Sequence, residues 1–347
     1  MVGFFSLPAS AQVECEMLFQ PAVKLDGTRS LSDSKELKFA SYNVLNLEHS
    51  VGKYKTSEET GKRVFNYEVL TKNPEDVKKI AQIITEEKLD FIVLQEVEGI
   101  QALKLFNRNY LNNQYEPIVL PGNDTRGIEI GFLVKKDLPI KYKVISNREA
   151  THLYAATNEE IPIFSRDLPA LHIWKQESSV LDDPEMIIFG NHLKSQRDRK
   201  EDAKSVLFRT AQVEEMTAIV SHYKEVYKDS AVFIAGDFNA NLATGAEFKP
   251  LKAESGLKDS FDLNSVTMQD HERVTHSFHP RDGETSYSQM DAVFMNDKAQ
   301  EYFIQSYVYR YQENGKVKPL PKTYEERELN PSDHYPVIVK IGAEILK

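Results

Sequence analysis

The chain has 347 residues, 41% hydrophobic and 28% charged, enough to bury a sizeable core and typical of a soluble globular protein. Acidic residues outnumber basic ones by 53 to 43, a net charge of −10, which excludes a protein that grips nucleic acid by charge alone. The single cysteine, Cys15, excludes an intrachain disulfide and a cysteine-based metal site, and no apolar run approaches the roughly 20 residues needed to cross a bilayer.

The N-terminal stretch MVGFFSLPASAQVE holds a short apolar run and then Ala9-Ser10-Ala11, an A-x-A pattern like a signal-peptidase site. No basic segment precedes the run. Residues 1–11 therefore read as the remnant of a signal peptide whose start lies upstream, and 12–36 as a leading segment. LKFASYNVLNL (37–47) alternates and predicts a strand, and the polar stretch 48–73 predicts a long surface loop. Asn73-Pro74-Glu75-Asp76 carries the signals of a helix start: an N-cap, a proline in the first turn and early acids. Val77, Ile80, Ala81 and Ile84 continue it at helical spacing. LDFIVLQEVEG is a buried strand that delivers Glu96 at its C-terminal end.

The second half repeats the arrangement. MIIFGNHLKS (186–195) predicts a strand ending in His192, and residues 205–227 predict a long amphipathic helix. SAVFIAGDFNANL (230–242) is a buried strand ending in Asp237 and Asn239, and YSQMDAVFMN (287–296) is one opening on Asp291. SDHYPVIVKI closes the chain, with Pro336 restricting Tyr335 to extended backbone just after Asp333-His334. No low-complexity linker divides the chain, so 37–347 reads as one α/β domain of two similar halves.

Strands that each finish in a carboxylate, amide or imidazole point to one shared rim, where binding groups of α/β folds collect. The set is Asn43, Glu96, His192, Asp237, Asn239, Asp291, Asp333 and His334. Oxygen donors and imidazoles without cysteine or H-x-x-x-H spacing suit Mg²⁺, Mn²⁺ or Ca²⁺ better than Zn²⁺. Bland readings stand beside this one. Asn43 and Asn239 equally fit turn formers, and Arg166-Asp167 equally fits a structural ion pair. His271, His276 and His279 read as solvated loop histidines, Trp174 as core, and RDRKEDAK (197–204) as a solvated helix approach.

SYNVLNL, DFIVLQEV, GNHLKSQ, AGDFNANL, SQMDAVF and SDHYPV occur in the order found in the endonuclease/exonuclease/phosphatase superfamily, which the chain resembles over about residues 37–342. The resemblance implies a four-layer α/β sandwich of two packed mixed β-sheets flanked by helices, and divalent-metal cleavage of phosphate esters. It implies Glu96 and Asn43 as metal ligands, with Asp333 adding a contact, and Asp237 with Asn239 orienting the attacking water. His334, oriented by Asp291, would contact phosphate and is often cast as general base. His192, partnered by Glu129, would protonate the leaving oxygen, and Arg126 and Arg166 would contact substrate.

A Trp before GDFN and a PxWxDR segment, features of the superfamily's inositol phosphatases, are absent, and no aromatic-rich insertion like that of sphingomyelinases is visible. The motifs look most like the bacterial extracellular or periplasmic nucleases of the deoxyribonuclease-like branch. The expectation is a monomeric, secreted or periplasmic phosphodiesterase acting on DNA or RNA with low sequence specificity and no stable membrane association. A phosphomonoesterase, a lipid phosphodiesterase and a non-catalytic binding protein are the alternatives.

Overall fold

The computed structural model describes residues 22–25, 27–50, 54–56, 63–65 and 69–347, so Ala9-Ser10-Ala11 and Cys15 lie outside the described residues. Two mixed sheets face each other. The six-stranded sheet runs in the order Phe303–Val308, Val337–Gly342, Glu36–Leu47, Phe91–Glu98, Ile128–Lys135, Tyr115–Val119. The seven-stranded sheet runs Val23–Lys24, Ile140–Ile145, Ala170–Lys175, Met186–His192, Ala231–Asp237, Asp291–Met295, Lys258–Asp259.

Strand alternation sorts side chains between two cores. Met186, Ile188, Phe233, Ala235, Val293 and Met295 join the inter-sheet core, where Phe39 meets Phe233 edge-on at 5.1 Å. Their neighbours Ile187, Phe189, Val232, Ile234, Ala292 and Phe294 face outward onto Val213, Met216 and Val220 of the helix Val206–Val226. On the other flank, the helices Pro74–Glu86 and Gly99–Tyr110 send Val77, Ile80, Ile84, Leu103 and Phe106 onto the six-stranded sheet. The result is the expected four-layer sandwich. Gly190 makes the close approach of the sheets possible, because a Cβ there would meet Ile130 Cγ2 at 2.6 Å.

Each sheet has one parallel pair at its centre, and a helix crosses over between its members. Glu36–Leu47 and Phe91–Glu98 form the first pair, linked through Pro74–Glu86; Met186–His192 and Ala231–Asp237 form the second, linked through Val206–Val226. The first crossover helix is capped locally: Asn73 accepts from Glu75 N–H at 3.0 Å, and Pro74 occupies the first turn. The second is capped from outside. The buried Asp202 accepts from Leu207 and Phe208 N–H at 2.9 and 3.0 Å and from the Tyr154 hydroxyl at 2.9 Å.

Two sequence expectations change here. The predicted loop 48–73 carries two short two-stranded ribbons, His49–Ser50 with Val69–Leu70 and Tyr54–Thr56 with Arg63–Phe65; strands of two or three residues are too short for alternation to reveal. The leading segment 12–36 is also part of the sandwich from Ala22 onward. Val23–Lys24 is an edge strand, and Arg29 pairs with Asp90 and, at 2.9 Å, with Asp137.

Candidate active site

The site forms where both parallel pairs end. Strand register sets the first layer: His192 lies opposite Asp237, and Asp237 opposite Asp291, one row across three strands. Gly236 precedes Asp237 where no side chain fits, since a Cβ would meet the Asn191 carbonyl oxygen at 1.9 Å. The facing sheet brings Asn43, whose amide donates to Glu96 Oε1 at 3.2 Å and to Asp237 Oδ2 at 3.1 Å, tying the two halves together.

Four groups converge on Asp237 Oδ2. Besides Asn43, Asn239 Nδ2 donates to it at 3.1 Å, and the Nε2 atoms of His192 and His334 lie at 3.7 and 3.8 Å. Asn239 holds a left-handed φ of 55°, which asparagine tolerates, and its amide also donates to the Leu193 carbonyl at 2.9 Å. His334 is fixed at its other nitrogen by Asp291 Oδ2 at 2.8 Å. Asp291 is itself placed by Thr275, whose hydroxyl oxygen accepts from the Met290 and Asp291 N–H groups, both at 2.8 Å. Ser332 anchors the His334 turn: its hydroxyl donates to the Asn43 carbonyl at 2.8 Å and accepts from His334 N–H at 3.1 Å.

The two histidines are driven in opposite directions. Burial opposes charge on His334, but Asp291 and Asp237 outweigh it and raise its proton affinity well above the ordinary value. Burial, reinforced by Arg166, drives His192 well below its ordinary value. The site thus favours a proton on His334 and disfavours one on His192. The resemblance implied the reverse order of roles, with His192 as proton donor to the leaving oxygen. Burial raises Asp237 as well, against the lowering effect of His334.

Glu96 takes a left-handed φ of 63° that breaks the strand register and turns its carboxylate into the site, where Oε2 accepts from Asn46 N–H at 3.1 Å. Glu96 offers oxygen donors of the kind hard divalent cations take and so fits Mg²⁺, Mn²⁺ or Ca²⁺, whereas Asn43 turns its Nδ2 to Glu96 and Asp237 and accepts from Leu45 N–H at 3.0 Å through Oδ1. Asp333 has one oxygen 3.4 Å from the Arg327 guanidinium and 3.7 Å from the His276 ring. Its other oxygen is buried with no hydrogen-bond partner.

The Glu129–His192 hydrogen bond implied by the resemblance is not made: Glu129 Oε2 and His192 Nδ1 are both buried without partners. Burial raises Glu129 to about 7. Arg166 does not pair with Asp167. It lies buried and donates to the Leu193 carbonyl at 2.8 Å, while Asp167 accepts from Asn147 and Leu168 N–H at 2.8 and 2.7 Å. Arg126 is exposed and held by Asp124 at 2.8 Å.

His276 corrects the reading of a solvated loop. It opens a short hairpin, His276–Phe278 with Ser286–Ser288, and bridges to His334, with ring centroids 4.6 Å apart. His279 is buried too, and only His271 of the three histidines is exposed. Polar composition hid this segment because the residues it packs against, Asp333 and His334, lie far along the chain. Lys72 and Arg327 were also missed. Their charges, with those of Arg126, Arg166 and Lys194, surround the acidic centre. No local pattern marks them.

Comparison with known proteins accords with this geometry. The chain matches the Endonuclease/Exonuclease/phosphatase family over residues 38–343. Among solved structures, D. rerio TDP2 complexed with single strand DNA product is similar at 16% identity, with 89% of this chain and 99% of that chain covered and a TM-score of 0.56. The human Nocturnin catalytic domain with bound sulfate anion is similar at 15% identity, covering 88% and 94%, with a TM-score of 0.54. Truncated Caenorhabditis elegans TDP2 gives 16% identity, 88% and 97%, and a TM-score of 0.54. No curated protein matches the chain. At these identities the neighbours speak for the fold, and the family match speaks for membership: the chain belongs to the endonuclease/exonuclease/phosphatase family of hydrolases, whose enzymes use divalent metals.

Proposed function

We propose that this protein is a divalent-metal-dependent phosphodiesterase that hydrolyses a polynucleotide, DNA in the first place and RNA in the second, with low sequence specificity. The observation that carries the reading is the convergence of Asn43, Asn239, His192 and His334 on Asp237 Oδ2. Asp237 and Asn239 would hold the attacking water, and the neutral His192 beside them would take its proton. The imidazolium of His334 would meet the charge developing on the phosphoryl group and donate to the leaving oxygen. A cation held by Glu96 would add Lewis-acid neutralisation of a phosphoryl oxygen.

The surrounding Arg126, Arg166, Lys72 and Lys194 favour an anionic substrate despite the net charge of −10. The DNA product and the sulfate in two structural neighbours are consistent with a phosphate-binding rim. The proposal includes a monomer in the periplasm or outside the cell, a location supported by Ala9-Ser10-Ala11.

Purified protein should nick or degrade plasmid DNA with Mg²⁺ or Mn²⁺, and the same assay on culture medium, periplasmic and cytoplasmic fractions should find the activity outside the cytoplasm. Plasmid left intact across metals and pH, together with turnover of a sphingolipid or phosphomonoester panel, would replace this reading. Activity confined to the cytoplasm would remove the export component.

A further inference from the structure

The hairpin that carries His276 has two faces with different fates. Directly opposed residues of an antiparallel pair share a face, so Ser277 and Tyr287 lie on one side and Phe278 and Ser286 on the other. The first side is fastened to the segment 321–324. Tyr287 donates to the Pro321 carbonyl at 2.6 Å, and Thr285 donates to the Lys322 carbonyl at 3.3 Å while bonding His279 at 3.0 Å. Arg281 sits over the Tyr324 ring at 5.2 Å.

The second side begins with His276, packed on His334. Phe278 is the next residue on that side, about 7 Å further along the strand at two residues' rise. Its side chain is 53% exposed, and its cross-strand partner is the small Ser286. Single exposed apolar residues are ordinary on protein surfaces. Phe278 differs in that it stands on the same strand face as the histidine ring packed on His334, on a hairpin whose opposite face is fixed.

We infer that Phe278 forms a nucleobase subsite beside the scissile phosphate, where an unstacked base of the bound strand lies against its ring. This deepens the polynucleotide reading given above and rests on it. Every base has a π-face, so a single aromatic platform tightens binding without imposing sequence, in keeping with low specificity. A ring already held by a fastened hairpin also loses little freedom on binding.

The test uses single-stranded DNA oligonucleotides with one cleavable phosphodiester among methylphosphonate links, intact or with the base removed on one side of that link. Wild-type protein with Mg²⁺ should show a KM lower for the intact strand than for one of the two abasic strands, by roughly 5- to 150-fold, the range of a base–aromatic stack. Phe278→Ala should raise KM for the intact strand by that factor, keep kcat, and lose the distinction between intact and abasic strands. Phe278→Trp should retain it, and Phe278→Leu, apolar but without a π-face, should not. Equal intact-to-abasic ratios in wild type and Phe278→Ala would overturn the subsite while leaving the nuclease reading intact. A wild type that cleaves plasmid DNA but none of these strands would overturn the subsite alone, and one that cleaves neither would overturn the polynucleotide reading and the subsite together.

Discussion

The two parallel strand pairs at the centres of the sheets end in different ways. Met186–His192 and Ala231–Asp237 keep their register to the last residue, and they finish with His192 and Asp237 buried side by side. Glu36–Leu47 and Phe91–Glu98 lose register at their ends, where Leu45, Asn46 and Glu96 all take left-handed backbone. Regular strands place side chains at fixed spacing in a dry row, which suits proton transfer among groups that must not move. Irregular ends twist carboxylate and carbonyl oxygens outward, which suits a cation that must be reached from solvent. On the function proposed above, one fold would divide its labour between an ordered end and a distorted one, with Asn43 linking them.

The largest expected effects separate those two ends. His334→Ala and Asp237→Ala should each lower kcat by roughly 10²- to 10⁴-fold, with circular dichroism unchanged and no recovery at high Mg²⁺. Glu96→Gln should weaken metal affinity by at least roughly 10- to 100-fold and regain activity as Mg²⁺ is raised. Metal rescue of His334→Ala, or its absence in Glu96→Gln, would dissolve the division.

A second contrast concerns what each half's buried charges cost. Asp291 and Glu129 each have one buried oxygen without a partner, but Asp291 bonds His334 through its other oxygen, whereas Glu129, on the first half's strand Ile128–Lys135, has its pKa raised by burial from 4.5 to about 7. A carboxyl raised in the folded state holds its proton longer than in the unfolded chain, so folding stability falls as pH climbs from 4.5 through 7. Glu129→Gln should therefore match wild type near pH 4.5 and exceed it by about 3 kcal/mol above pH 7 in urea unfolding. An equal gain at both pH values would mean that packing, and not charge, governs the site.

The smallest effects compare the crossover helices. Asn73→Ala removes a local cap and should cost about 1 kcal/mol. Asp202→Ala strands two backbone N–H groups and the Tyr154 hydroxyl, and should cost roughly 2–4 kcal/mol. Thermal unfolding of the two variants side by side would reverse the contrast if Asn73→Ala proved the more damaging.

Much of the architecture was legible before the structure. The strands ending in Glu96, His192 and Asp237 are continuous apolar runs, and the helix after Asn73 announces itself by cap, proline and period. These are local signals within about ten residues. What stayed illegible depends on partners far along the chain. His276 reads as a polar loop until His334, with which it bridges, is known. Arg166 and Asp167 look like a pair until each is seen bonded to a different part of the backbone, Arg166 to the Leu193 carbonyl and Asp167 to Asn147 N–H. Glu129 Oε2 and His192 Nδ1, on facing sheets, are both left without hydrogen-bond partners, a relation that no motif spacing within either strand reveals.

The amino-acid sequence by itself determined which residue types reach the strand ends, and so the α/β class and the family. Backbone periodicity and motif order are properties of the chain, and they survive without a partner. Only the tertiary structure decided how the groups are charged. Two histidines of one kind have their proton affinities driven in opposite directions because His334 meets Asp291 and Asp237, while His192 is buried beside Arg166. Proton affinity is a difference between burial and neighbouring charge, and both terms exist only once distant strands have closed around the site.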